Sequence, residues 1–201
     1  MSLRPPQKDF GAIPLPWTTI DASTLVRISS FSTGEPWFGK SMKNRFDDRR
    51  KLVKEKRFGT CYVGFSLECA FAETVLHNRV ASRGGFVVPV EELERWVVTF
   101  HPAELNVAVL LGRHLKKLGG DGELSSSSSY VLPGKWAVAV HEHPLSVDGM
   151  LYMSKHVNDE PALVLFDRAR HKLAIQGNVS FADCEGSAGI LSHFNVTVKR
   201  R

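Results

Sequence analysis

The chain is poor in cysteine, in internal repeats and in long apolar runs, and each shortage excludes something. Its three cysteines, Cys61, Cys69 and Cys184, form no C-x-x-C pair. They supply no disulfide framework, and their apolar or mixed surroundings suit reduced thiols used as small core residues. No apolar stretch reaches the ~20 residues that a membrane-spanning helix needs, and the N-terminus lacks the apolar centre of a signal peptide. A cytoplasmic protein without membrane contact is therefore expected. A G-x-G-x-x-G turn is missing, which disfavours a Rossmann dehydrogenase. The net charge of +5 is modest. It suits an anionic small ligand or an acidic partner and does not by itself argue for nucleic acid.

What is present fits one domain with a sizeable core: 201 residues of ordinary apolar and charged content. Residues 1–23 read as an N-terminal arm, and Met1–Pro16, rich in proline and without periodicity, as a segment packed on the surface. The domain proper is expected over 24–201. Strands are expected at Thr24–Phe31, Thr60–Gly64, Phe86–Val90, Trp96–Phe100, Met150–Met153, Ala162–Phe166 and Leu173–Ile175. Leu105–Leu111 reads as a strand running into a short helix that ends at Gly119. Lys135–Glu142 reads as a helix with Pro133 at its first position. Ile190–Val198 suits a short helix or a last strand.

The chain is organised around Arg57–His77, RFGTCYVGFSLECAFAETVLH. Thr60–Gly64 is a short buried strand. Ser66 then offers a helix N-cap, with Glu68 in the first turn where a negative charge suits the dipole. Leu67, Ala70, Phe71, Thr74, Val75 and Asn78 follow at helical spacing. Glu73 sits mid-helix among Phe71, Ala72, Val75 and Leu76, with few other charges for company. It is either a carboxylate at the edge of the apolar stripe, held by an arginine, or a functional acid.

Other motifs compete for attention. Gly34–Ser41, GEPWFGKS, matches the P-loop pattern letter for letter, and Ala162–Asp167 passes for its acidic strand partner. A P-loop cradles phosphates with successive backbone N–H groups. Pro36 removes one donor, and Trp37 and Phe38 crowd the loop, so a turn with aromatics packed on the body is the better expectation. Lys40–Arg57 is dense in Lys and Arg, but has only Phe46 and Phe58 nearby for base stacking, so a solvated face or mobile loop outweighs a nucleic-acid module. His141 and His143 are two apart, hence divergent on a helix, and His77, His101 and His156 lie elsewhere, so no metal site is expected. Gly119–Ser129, GGDGELSSSSS, is too polar to pack and is either a lid or, preferably, a surface insertion. GFSLE lacks the second glycine of a serine-hydrolase elbow. Arg27, between Val26 and Ile28, is either a solvated strand charge or an anion-facing arginine.

Five pieces in order resemble the RES-domain family: Arg45-Phe46; Tyr62-Val63-Gly64; Ala70-Phe71-Ala72-Glu73-Thr74; WAVAVHEHPLSVDG from Trp136; and Tyr152-Met153-Ser154-Lys155 before ALVLFD. They span about Val26–Asp167. ETVLH and KWAVAVHEH lie nearest the branch that destroys NAD⁺. Asn44 stands where a glycine is common, and Lys155 where an arginine is common, which weakens any bidentate phosphate contact there. The resemblance implies a mixed, mostly antiparallel α/β (α+β) domain like the ADP-ribosyltransferases, a split sheet with flanking helices and NAD⁺ in the cleft between two small sheets. It implies cleavage of the nicotinamide–ribose bond. Glu73 would stabilise the positive ribose, Arg45 and Arg27 would clamp the pyrophosphate, Tyr62 would orient the nicotinamide side, and Ser154 would bond ribose or phosphate. The acceptor would be water, inorganic phosphate or a protein side chain. It further implies a toxin silenced by a helical antitoxin with a helix-turn-helix, and assembly as a homo-oligomer or a toxin–antitoxin complex.

Overall fold

The computed structural model describes residues 3–200. Ten strands and five α-helices follow in chain order. The strands are β1 (Trp17–Asp21), β2 (Val26–Ser29), β3 (Thr60–Gly64), β4 (Phe86–Pro89), β5 (Trp96–Phe100), β6 (Glu104–Val109), β7 (Gly149–Met153), β8 (Pro161–Phe166), β9 (Ile175–Ser180) and β10 (Val196–Lys199). The helices are α1 (Leu67–Thr74), α2 (Gly112–Lys117), α3 (Glu123–Ser126), α4 (Val131–His141) and α5 (Ser187–His193).

Eight strands run in the order β1-β6-β7-β8-β3-β2-β5-β9, and β4 and β10 form a separate parallel ribbon. Within the large sheet every neighbouring pair is antiparallel except β6 and β7. The mixed, mostly antiparallel fold matches expectation. The division of the sheet is subtler than two separate pieces. β3 pairs with β8 over five residues and β2 with β5 over four, but β2 meets β3 only at Val26↔Gly64. Beyond that one pair residues 27–29 and 61–63 splay apart, while past Gly64 the chain turns at once into α1. A side chain at Gly64 would come within 3.0 Å of the Ala70 nitrogen, so the turn needs a residue without a Cβ there. A five-stranded body and a three-stranded wing thus share one sheet and open a cleft between them.

The body carries α4 on one face. Trp136, Phe46, Phe166, Leu124 and Met150 are fully buried there and form one cluster. The wing packs α1 and α5 through Phe71, Phe181 and Ile190. Side chains of this size contribute roughly 1.5–3 kcal/mol each on burial, which holds each helix on its part of the sheet.

Several sequence expectations need correction. The arm is no surface appendage: β1 pairs with β6 as an edge strand, and Leu3, Phe10 and Leu15 enter the body's core. Prolines masked a segment whose apolar residues are too far apart to show a period; residues 1–2 of that arm lie outside the described residues. Pro133 is the third residue of α4, still inside the first turn, where no backbone donor is needed. The strand expected at Leu173–Ile175 begins only at Ile175, after a 3₁₀ segment over Asp167–Lys172. The C-terminal segment holds both alternatives, α5 and then β10. Among the described residues no helix is long and apolar enough to cross a membrane.

Candidate functional site

The splayed edge of β2 and β3 opens a cavity of about 410 Å³, within the size of small-ligand sites. Arg27, Arg45, Tyr62, Glu73, His77, Trp37 and His156 all line it.

Glu73 comes from the last turn of α1, not its middle. The helical spacing runs on to Asn78, but the helix stops at Thr74, where the amides of Val75 and Leu76 both donate to the Phe71 carbonyl. A carboxylate at a helix C-terminus faces the negative end of the dipole and needs compensation. It receives two hydrogen bonds on one oxygen: the Ser154 hydroxyl donates to Oε1 at 2.6 Å, and the Lys155 amide at 3.1 Å. Ser154 in turn accepts from the amides of His156 and Val157 at 3.2 and 2.9 Å. The turn after β7 is therefore folded around Glu73, whose Oε1 takes both bonds while the residue lines the cavity. Ser154 is 1 % exposed and does not line the cleft. Its hydroxyl donates to Glu73 and accepts from two backbone amides, an arrangement that positions the carboxylate.

Arg45 faces this carboxylate across the cleft. Its Nη1 donates to the Ser127 carbonyl at 2.8 Å, and its guanidinium lies 4.6 Å over the Tyr130 ring. Burial lowers its pKa from the ordinary value, while Tyr130, Tyr152 and Glu73 act in the opposite direction. Phe46, fully buried at 4.7 Å from the Tyr152 ring, anchors the loop. Tyr62 accepts from the Phe46 amide at 2.9 Å, so its hydroxyl holds the arginine's backbone while one face of the ring borders the cavity. Burial pushes the Tyr62 phenol well above its usual value, so it stays a neutral donor.

Arg27 also reaches the cleft, but two of its donors are taken. Nε bonds Glu35 at 2.8 Å and Nη1 bonds the Tyr62 carbonyl at 3.0 Å. The second contact ties β2 to β3 beyond their single paired residue. Glu35 is the partner that sequence reasoning missed: it lies inside the P-loop-like segment and also accepts from the Ser29 hydroxyl. Arg27 is thus a brace across the split more than a free pyrophosphate clamp.

The P-loop-like segment has no helix after Ser41, so there is no helix N-terminus for a phosphate. Lys40 lies 3.4 Å from Asp167, and Ser41 donates to Asp47. Phe38 packs inside as expected; Trp37 does not, and stands 54 % exposed at the cavity rim beside Phe31, 55 % exposed. The basic stretch is solvated in part, with Lys43, Lys51, Lys54 and Lys56 exposed, and anchored in part. It wraps two buried aspartates: Asp47 accepts from Thr60, Ser41 and the Asn44 amide, and Asp48 from Arg50 and the Phe58 amide. Burial would raise Asp48, but its Arg50 bonds hold it below the usual carboxylate range.

The Ser-rich segment, preferred above as a surface insertion, borders the site instead. Leu124 of α3 is fully buried and pins the segment, which brings Ser127 to Arg45 and Tyr130 over its guanidinium. One leucine among serines was the only signal. Of the histidines, His141 stacks on Phe58 at 4.3 Å and His143 bonds the Ile13 carbonyl, so that pair diverges. His77 and His156 meet instead, with ring centroids 4.9 Å apart beside Glu73. Cys69 borders the cavity, but burial, and then Glu73, push its thiol up to about 12, which removes it as a nucleophile.

The RES-domain family model matches residues 24–182. The chain belongs to the RES-domain family. Among solved structures, one that it resembles is a chain of the M. tuberculosis MbcT–MbcA toxin–antitoxin complex, with a TM-score of 0.55 at 12 % identity, over 82 % of this chain and 85 % of that one. At that identity the likeness is one of fold. No curated protein sequence matches. The matched residues contain Arg45, Tyr62, Glu73 and Ser154, the positions that carry the RES motifs.

Proposed function

We propose that this RES-domain protein cleaves the nicotinamide–ribose bond of NAD⁺, and that it acts as the toxin of a toxin–antitoxin pair in the cytoplasm. The observation that carries the chemistry is one carboxylate, Glu73, locked by Ser154 and the Lys155 amide at the wall of a cavity that Arg45 also lines.

Nicotinamide is a good leaving group, so the transition state carries positive charge on the ribose. An ionised carboxylate already in place stabilises that charge without reorganising, and accepts from the 2-hydroxyl more strongly as charge develops. Arg45 has a guanidinium nitrogen left for the pyrophosphate, where its planar fork suits two oxygens. Tyr62 borders the nicotinamide side, and Trp37 and Phe31 offer exposed rings on which a base stacks. Arg27 supports the site through Tyr62 and Glu35. Lys155, exposed at the rim, adds a positive charge without a fork. No step uses a metal.

The acceptor is water, giving a glycohydrolase, or inorganic phosphate, giving a phosphorylase. Transfer to a protein side chain is the second reading, favoured by the open rim at Trp37 and Phe31. The partner we propose is a helical antitoxin, carrying a helix-turn-helix, that covers the cleft; resemblance in fold to a chain of a toxin–antitoxin complex supports it. Assembly with that partner, or as a homo-oligomer, belongs to the same proposal. A P-loop NTPase has lost its footing because the segment lacks its helix, and a nucleic-acid module is disfavoured because Phe46 and Phe58, the rings nearest the basic stretch, are both buried and offer no stacking face.

The test is NAD⁺ turnover by purified protein freed of partner, with and without phosphate, read by mass spectrometry. Nicotinamide with ADP-ribose, or with its phosphorylated form, is the expected result. Intact NAD⁺ with folded protein and no labelled protein acceptor would refute it.

A further inference from the structure

Glu73, His77 and His156 each direct one ligand atom into a common space, all within 4.8 Å of one another. They reach it from two segments, the end of α1 with the turn beyond it, and the turn that follows β7. All three line the cavity. The Nδ1 of His77 is buried and has no hydrogen-bond partner, and its Nε2 has only a long contact, 3.5 Å, to the Tyr130 hydroxyl. A buried imidazole nitrogen without a partner costs free energy that a ligand would recover.

We infer that Glu73, His77 and His156 form a binding site for a first-row transition metal, with Zn²⁺ the best fit, and that a metal bound there blocks the cleft. Two imidazoles and one carboxylate are a set that zinc takes in three-ligand sites with an open position, and imidazole selects against Mg²⁺ and Ca²⁺. Ligand atoms around a tetrahedral zinc stand about 3.4 Å apart, from bond lengths near 2.0–2.1 Å. Both histidines are half-buried at the cavity wall, so rotation of their rings closes the remaining gap. The outer shell is in place: Ser154 and the Lys155 amide already orient the Glu73 carboxylate. The metal would act as an inhibitor. It occupies the one carboxylate that the proposed reaction needs, so metal and dinucleotide compete. That last clause alone rests on the NAD⁺ reading; the site itself does not.

The test uses the full chain, stripped of metal and titrated with Zn²⁺ by calorimetry, then loaded with Co²⁺ for its visible d–d absorption. Loss of an outer-shell partner costs about 10- to 100-fold in metal affinity, so H77A and H156A, which remove ligands, should each weaken binding at least about 100-fold. H101A, far from the cluster, should bind Zn²⁺ like the parent chain. Thermal melts confirm that each variant is folded, and H77N and H156N replace any that is not. One-to-one binding that both ligand variants lose, with a Co²⁺ spectrum of low coordination number, supports the site. Absence of one-to-one binding, or binding that survives both variants, overturns it. Zn²⁺ that binds through the histidines but leaves nicotinamide release untouched overturns the competition and keeps the site. Zn²⁺ binding in a protein that never releases nicotinamide keeps the site and sinks the NAD⁺ reading.

Discussion

The two walls of the cleft are built differently. On one, Glu73 and Ser154 are bonded to one another and to the backbone of the turn after β7, with Ser154 buried. On the other, Phe31 and Trp37 stand more than half exposed on the loop after β2, with their ring centroids 6.2 Å apart. A fixed charge suits a developing charge in a transition state, where any reorganisation raises the barrier. Exposed rings on a loop suit binding, where some adjustment is tolerated. The difference teaches where sensitivity should lie: in turnover on the first wall, in affinity on the second.

The largest effect is expected at the fixed wall. Glu73→Gln keeps shape and loses charge, and should lower nicotinamide release about 10³-fold with little change in KM, at the upper end of what one electrostatic group contributes; steady-state kinetics check it. Next is Ser154→Ala, which leaves Glu73 charged but poorly held. It should lower kcat about 10- to 100-fold, with KM nearly unchanged, the size typical of lost outer-shell support. An equal loss in KM instead would mean that Ser154 touches substrate. Arg45→Lys keeps the charge but loses the fork, and should raise KM about tenfold, near the strength of one charge-assisted hydrogen bond.

Trp37→Ala should raise KM about fivefold and leave kcat alone, since an exposed ring sits at the low end, about 1 kcal/mol, of what stacking one base is worth. A fall in kcat there would erase the contrast between the walls. The smallest effect concerns the core behind both. Burial, helped by Arg168, lowers the His141 pKa from 6.5 to about 4. The folded form then binds fewer protons than the unfolded chain between those values, so stability is full above pH 6.5 and declines as pH falls toward 4. His141→Gln should flatten that decline in a pH series of thermal melts, without altering either wall at neutral pH.

Much of this could be read from the residues, and the failures have a common cause. β3, β5 and the start of α1 were legible because their signals are local: alternation, an N-cap at Ser66, apolar spacing. The pair Arg45 and Glu73 was legible only through the RES-like motif order, since no periodicity links residues in different elements. What stayed hidden was which polar group meets which. Glu35 inside a P-loop-like segment turned out to hold Arg27, Asp47 and Asp48 to hold the basic loop, and Ser127 to hold Arg45. Of these, the Ser127 bond to Arg45 spans distant segments, and the others join residues within eight positions, where no period predicts a partner. The convergence of His77 with His156 was hidden because it joins two turns far apart in the sequence, whereas spacing could judge only His141 with His143.

The central claim is that the locked carboxylate performs the cleavage. Its most direct measurement is single-turnover nicotinamide release from NAD⁺ by the parent chain and by Glu73→Gln, both freed of partner and verified as folded. Fast release by the parent and loss of about 10³-fold in the variant is the predicted result. Equal release by the two, or none by either, would contradict it.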